Sequence, residues 1–105
     1  IFCVFCVFIG SCDHLGLNRV VLRQSQMGID TALLEDIKST LNVAECEMHD
    51  VVKSMVWLRE KSDFTGFNAI YGEYFPIEPP TRSAVVNQLL VDVRVEIEVI
   101  AYKPI

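Results

Sequence analysis

Val93-Arg94-Val95-Glu96-Ile97-Glu98-Val99-Ile100-Ala101-Tyr102 decides how this chain folds. Val93, Val95, Ile97, Val99 and Ala101 take alternate positions, and Arg94, Glu96 and Glu98 fall between them. Successive side chains of a strand point to opposite faces, so the pattern predicts a β-strand over 93–102 with one apolar face. Such a strand needs a second layer over its apolar side, and leaves its charged side to water or a partner.

Working back from that strand, Ser83–Leu90 is a second β candidate, and a turn near Val91-Asp92 would make the two a hairpin. Pro76, Pro79 and Pro80 stop whatever helix precedes them, because proline lacks the N–H and clashes with the preceding turn. That helix is expected to start at a cap on Ser62 or Asp63, with Phe64, Phe67, Tyr71 and Tyr74 as its buried stripe. Before it, Val51–Arg59 alternates as a strand. Val52, Ser54, Val56 and Leu58 should share one face; Val51, Lys53, Met55 and Trp57 should share the other. A longer helix is expected from about Asp30 to Ala44, where Leu33, Ile37 and Leu41 repeat every four residues and Asp30 is the candidate N-cap. Leu17–Arg23 and the uncharged Ile1–Gly10 read as two further strands. The order β-β-α-β-α-β-β predicts an α+β fold: one mixed sheet with two helices on a single face. The uncovered face, with Trp57, Met55 and Val51 beside Lys53, is too apolar to be left fully wet.

The chain has 105 residues, which suits a single domain spanning 1–105. With 51% hydrophobic and 22% charged residues its composition is that of a globular chain. Fourteen acidic against nine basic residues give a net charge of −5, and no basic patch stands out, so nucleic acid is disfavoured as a partner. Cys3, Cys6, Cys12 and Cys46 do not make a disulfide framework, since three of them crowd one apolar run. Cys3, Cys6, Cys12 and His14 offer a Cys₃His metal set on paper. Val4 and Phe5 favour a strand there, so small core hydrophobes are the better reading. No phosphate loop or ligand cluster calls for a cofactor, and the opening apolar run is too short to span a bilayer.

Several linked stretches then resemble one family. Pro80-Thr81-Arg82-Ser83 followed by Val95-Glu96-Ile97-Glu98, Asp50-Val51-Val52-Lys53 through Val56-Trp57-Leu58, Asp63-Phe64, and Asn68-Ala69-Ile70-Tyr71 with Tyr74-Phe75 are similar to the motifs of the RidA (YjgF) family, in the right order. Counting back without a gap puts Gly10 on the glycine that follows the family's first long strand. The resemblance covers Asp30 to Tyr102. It departs at Asp13–Arg23, in a slightly short stretch between Arg82 and Glu96, and at the family's opening Pro-Tyr segment, which has no counterpart here. It departs also at Glu45, where the family's first helix commonly ends on glycine; a left-handed Glu there costs about 1 kcal/mol.

The resemblance implies a chorismate-mutase-like trimer, cytoplasmic or mitochondrial, that hydrolyses 2-imino and enamine acids to 2-keto acids and ammonia without a cofactor. It implies that Arg82 clamps the substrate carboxylate, that Glu96 handles protons and orients water, and that Asn68 and Gly10 belong to the substrate cleft. In a C-terminal hairpin Arg82 would pair near Ala101 and Glu96 near Asn87, roughly 15 Å apart, too far for one small imino acid. The expectation is therefore a cleft completed between subunits. The other reading is a non-catalytic relative, a trimer that holds small carboxylates or acts like a chaperone. His14 and His49 fall outside the motif positions.

Overall fold

The alternation of 93–101 becomes the middle of a sheet. The computed structural model describes residues 2–10, 26–90 and 92–103. Their elements are β1 (Phe2–Gly10), α1 (Gln26–Val43), β2 (Val51–Leu58), α2 (Phe64–Tyr74), β3 (Thr81–Val86) and β4 (Val95–Lys103), with single 3₁₀ turns at Met48–Asp50 and Lys61–Asp63. The sheet order is β1-β4-β2-β3. β4 runs antiparallel to both β1 and β2, and β3 runs parallel to β2. This is the expected α+β arrangement of one mixed sheet and two helices. The strand expected at Leu17–Arg23, together with Cys12 and His14, lies outside the described residues.

The inward face of β4, Val95, Ile97, Val99 and Ala101, is closed to solvent. It packs in one core with Leu33, Leu34, Ile37 and Leu41 of α1 and with Phe67, Ile70 and Tyr71 of α2. At about 25 cal/mol per Å² of apolar surface, burying side chains of this size contributes roughly 1.5–3 kcal/mol each, so this layer dominates stability. The opposite face keeps Glu96, Glu98 and Ile100 only partly covered, beside Met55 and Trp57 of β2.

The C-terminal hairpin does not form. β4 leaves β3 and inserts between β1 and β2, while β3 joins the far edge of β2, with Arg82 opposite Ser54. β3 itself covers Thr81–Val86 rather than the expected Ser83–Leu90. Hydrogen bonding on both sides suits β4, whose every inward residue is buried, better than an edge position would. β3 is mostly exposed and fits an edge.

A β-bulge at the start of β2 corrects the expected faces. Val51 pairs with Ala101 and Lys53 with Ile100, so one extra residue sits on β2. Val51 consequently joins Ser54, Val56 and Leu58 in the core, and Val52 is turned out to solvent. Strict alternation assigned these two residues the other way round.

The helix ends differ from expectation as well. α1 begins at Gln26, so Asp30 is a fully buried residue inside the helix rather than its N-cap. Asp30 lies one turn before Leu33 and Leu34, and Ile29 packs against the same core, so burial extends the helix through Gly28 despite glycine's cost of about 1 kcal/mol. Asp63 precedes α2 but makes no side-chain cap. Its carboxylate instead accepts from Nη2 of Arg94, at 2.9 and 3.1 Å. Arg94 is thereby drawn toward the helix layer and away from the charged strand face it was expected to share with Glu96 and Glu98. In α2 the buried stripe is Phe67, Ile70 and Tyr71; Phe64 is exposed and Tyr74 half-buried.

α1 closes on a Schellman turn. Cys46 N donates to Leu41 O (2.7 Å) and Glu45 N to Asn42 O (2.9 Å). Cys46 and Leu41 are both buried in the core, and Glu45 takes the left-handed conformation at φ 62°. Lys103 Nζ donates to the Glu45 carbonyl (2.7 Å), joining the turn to the end of β4. Glycine escapes the left-handed penalty but loses more unfolded-state entropy, so Glu45→Gly should gain about 0.5 kcal/mol in urea unfolding.

Tyr74 joins the two helices by donating its hydroxyl to Glu35. That bond, followed by desolvation and the Glu35 and Glu73 charges, pushes the Tyr74 hydroxyl up to about 12. A folded pKa above the unfolded value of about 10 means the contribution to stability is complete below pH 10 and lost as pH rises through 12. An ultraviolet titration of tyrosinate should show a late-ionising tyrosine that disappears in Tyr74→Phe.

Candidate functional site

Arg82 lies on edge strand β3, opposite Ser54, and its side chain extends over α2. Nη1 donates to Asn68 Oδ1 at 2.7 Å. The guanidinium carbon sits 4.6 Å from the Tyr71 ring centre and 5.7 Å from that of Phe64. Among the described residues no carboxylate pairs with it. Beside it opens a cleft of about 400 Å³ lined by Asn68, Tyr71, Gly72, Phe75, Pro79, Pro80 and Arg82. The proline stop after α2 shapes its rim: Glu78 turns the chain in the left-handed region, at φ 48°, immediately before Pro79 and Pro80.

Tyr71 forms the floor of this arrangement. Its hydroxyl and the Ser54 hydroxyl are 2.6 Å apart in a buried hydrogen bond. Burial pushes the Tyr71 hydroxyl pKa up, opposed by the bond to Ser54 and by the Arg82 charge. Tyr71 read as core stripe in the sequence, and it is buried as that reading requires. That the same ring underlies Arg82 follows only from the Ser54–Arg82 register.

Glu96 is placed elsewhere. It pairs with Trp57 on one side and Ile9 on the other, on the sheet face away from the helices. Three residues along and two strands across separate it from Arg82, about 14 Å between Cα atoms. Gly10 pairs with Val95, next to Glu96 along the sheet. The four candidate residues of the sequence thus form two groups: Arg82 with Asn68 at the exposed side of α2, and Glu96 with Gly10 toward the other edge. A separation near the expected value therefore arises from a different topology, with the two side chains on opposite faces.

Among the described residues one group has metal-ligand chemistry: Glu47, His49 and Asp50, whose ligand atoms lie within 4.8 Å of one another. Asp50 already accepts from the Glu47 N–H at 2.8 Å as half of a capping box, so the turn accounts for it. None of the described helices is long and apolar enough to cross a membrane.

Residues 14–103 match the family model described as Endoribonuclease L-PSP. A RutC family protein of Pyrococcus horikoshii is 46% identical over 72 residues, 68% of this chain and 57% of the relative. The chain thus spans a little over half the length of that relative. The 3-aminoacrylate deaminase RutC of Acinetobacter baylyi is 37% identical over 98 residues, covering 91% of this chain and 78% of the relative. The 2-iminobutanoate/2-iminopropanoate deaminase of Salmonella typhimurium is 36% identical over 74 residues, 67% of this chain and 58% of the relative. The crystal structure of RidA from an Antarctic Psychrobacter superposes with a TM-score of 0.77 at 28% identity, over 96% of this chain and 80% of that one. With a family model matched over residues 14–103 and relatives 36–46% identical over two thirds of the chain or more, the chain belongs to the RidA/YjgF (Endoribonuclease L-PSP) family.

Proposed function

We propose that this protein hydrolyses 2-imino and enamine acids to 2-keto acids and ammonia. The observation that carries the reading is the Arg82 guanidinium: it borders an open cleft, and no described carboxylate neutralises it. A planar guanidinium with free N–H edges is suited to a carboxylate, which it binds through two parallel hydrogen bonds. Named deaminases among the relatives point to the same substrate class. In the reaction water adds through oxygen to C2 of the imine, the C–N bond breaks, and nitrogen leaves as ammonia while a C=O bond forms. Arg82 holds the carboxylate, Asn68 holds Arg82, and Glu96 takes the proton from water and passes one to nitrogen.

One chain cannot bring its own Arg82 and Glu96 to a single small imine, because they lie on opposite sheet faces. The proposal therefore includes a homotrimer in which a neighbour's Glu96 and Gly10 complete the cleft. The half-covered apolar residues Met55, Trp57 and Ile100 around Glu96 give that face a reason to meet another copy. A second reading, a trimer that holds small carboxylates without turnover, rests on the same unneutralised arginine and differs only in what Glu96 does.

The test is ammonia release from 2-iminopropionate generated in situ. Arg82→Ala should lower kcat/KM about 100-fold, the worth of charge-assisted hydrogen bonds, and Glu96→Gln should lower kcat by about 10²–10⁴. Mixing the two inactive variants and allowing subunits to exchange should restore part of the activity, since some clefts then combine an intact Arg82 with an intact Glu96. No acceleration by the folded wild-type assembly would leave the binding reading in place of the catalytic one.

A further inference from the structure

A carboxylate clamp works only if the plane of its guanidinium is held still. Two parallel hydrogen bonds require both N–H edges to face the ligand together, and a long side chain free to rotate loses that alignment. Arg82 has one polar anchor among the described residues, Asn68 Oδ1, which fixes a point but not a plane. The Tyr71 ring lies 4.6 Å from the guanidinium carbon, within cation–π range, and Phe64 flanks it at 5.7 Å.

The Tyr71 ring is itself fixed on three sides. Its centre lies 5.7 Å from that of Phe67 and 4.6 Å from that of Phe75, and its hydroxyl is bound to Ser54 at the bottom of the core. Ser54 is also the register partner of Arg82 across the β2–β3 ladder. The strand ladder, the buried hydroxyl pair and the stacked guanidinium thus close a circuit through Ser54, Tyr71 and Arg82.

We infer that Tyr71 is a positioning residue for the carboxylate clamp: its ring face sets the plane of the Arg82 guanidinium, and the buried Ser54 hydroxyl holds the ring. The inference rests on the reading of Arg82 as a carboxylate binder. It separates two parts of one side chain. The face serves the ligand site, and the hydroxyl serves the fold. Raised by burial, the hydroxyl pKa keeps the phenol neutral at ordinary pH, so the tether persists there.

The experiment measures binding of pyruvate, the stable keto-acid product, to the full chain, alongside turnover of 2-iminopropionate and thermal stability. Tyr71→Leu removes the face and should raise the pyruvate Kd and the imine KM about tenfold, with kcat within about twofold. Tyr71→Phe keeps the face, loses the tether and leaves Ser54 buried without its partner. It should lower Tm yet keep Kd within about threefold of wild type. A purely structural role would instead make the two variants' affinities follow their stabilities. Equal affinity losses in Phe and Leu variants, or none in the Leu variant, overturn the inference.

Should Tyr71→Leu fail to fold, the wild-type protein still decides. Ring current from Tyr71 must shift the Arg82 guanidinium protons upfield in the proton spectrum, and unshifted resonances overturn the stacking. If Arg82→Ala leaves pyruvate binding intact, the clamp reading fails and the inference with it. Binding that follows the predicted pattern without any imine hydrolysis supports the inference and rejects only the deaminase reading.

Discussion

The burial of one face of β4 is the constraint on which the rest of this structure depends. Val95, Ile97, Val99 and Ala101 are closed to solvent, and the strand is hydrogen-bonded to β1 on one side and β2 on the other. Both helices must lie over that face to cover it. β3 takes the outer edge of β2, reached by the crossover through α2. Arg82 is carried there with it, onto the helix side of the sheet, where Asn68 and Tyr71 of the crossover helix meet its side chain. Glu96, alternating with the buried residues of β4, has to point the other way. The division of the candidate site into two halves is thus a consequence of core packing.

Local features yield to this packing wherever the two conflict. β2 takes a bulge so that Val51 as well as Ser54, Val56 and Leu58 can enter the core. α1 runs through Gly28 because Ile29 and Asp30 belong to its packed face. Glu45 occupies a left-handed position that glycine would fill at less cost, and the turn holds because Cys46 and Leu41 are buried together and Lys103 binds the carbonyl. Asp63 gives up a cap to pair with Arg94, whose side chain is two-thirds covered and would be expensive to leave unpaired. In each case burial outweighs a preference worth about 1 kcal/mol or less.

Much of this was legible in the residues. The alternation of 93–101 located β4 and its buried face, the four-residue repeat of Leu33, Ile37 and Leu41 located α1, and the prolines after Phe75 ended α2 where they should. The motif residues Arg82 and Asn68 meet at 2.7 Å. What was not legible is long-range. Sequential strands are neighbours more often than not, so a hairpin turning near Val91-Asp92 was the natural expectation, and only the competition for the helix-covered centre of the sheet excludes it. The bulge was hidden for a related reason, since a one-residue slip appears only when the partner strand supplies the register.

The sequence by itself determined which residues are apolar at which period, and hence the buried face of β4, the core stripe of α1 and the α+β class. It also held the chemistry of the cleft, because a guanidinium and a carboxamide have the same groups wherever they are placed. Only the tertiary structure decided that β4 is central and β3 an edge, that Tyr71 lies beneath Arg82, and that Glu96 faces away from it. Periodicity is a property of neighbours along the chain, whereas strand order and the meeting of side chains depend on which arrangement buries the most apolar surface without leaving polar groups unpaired.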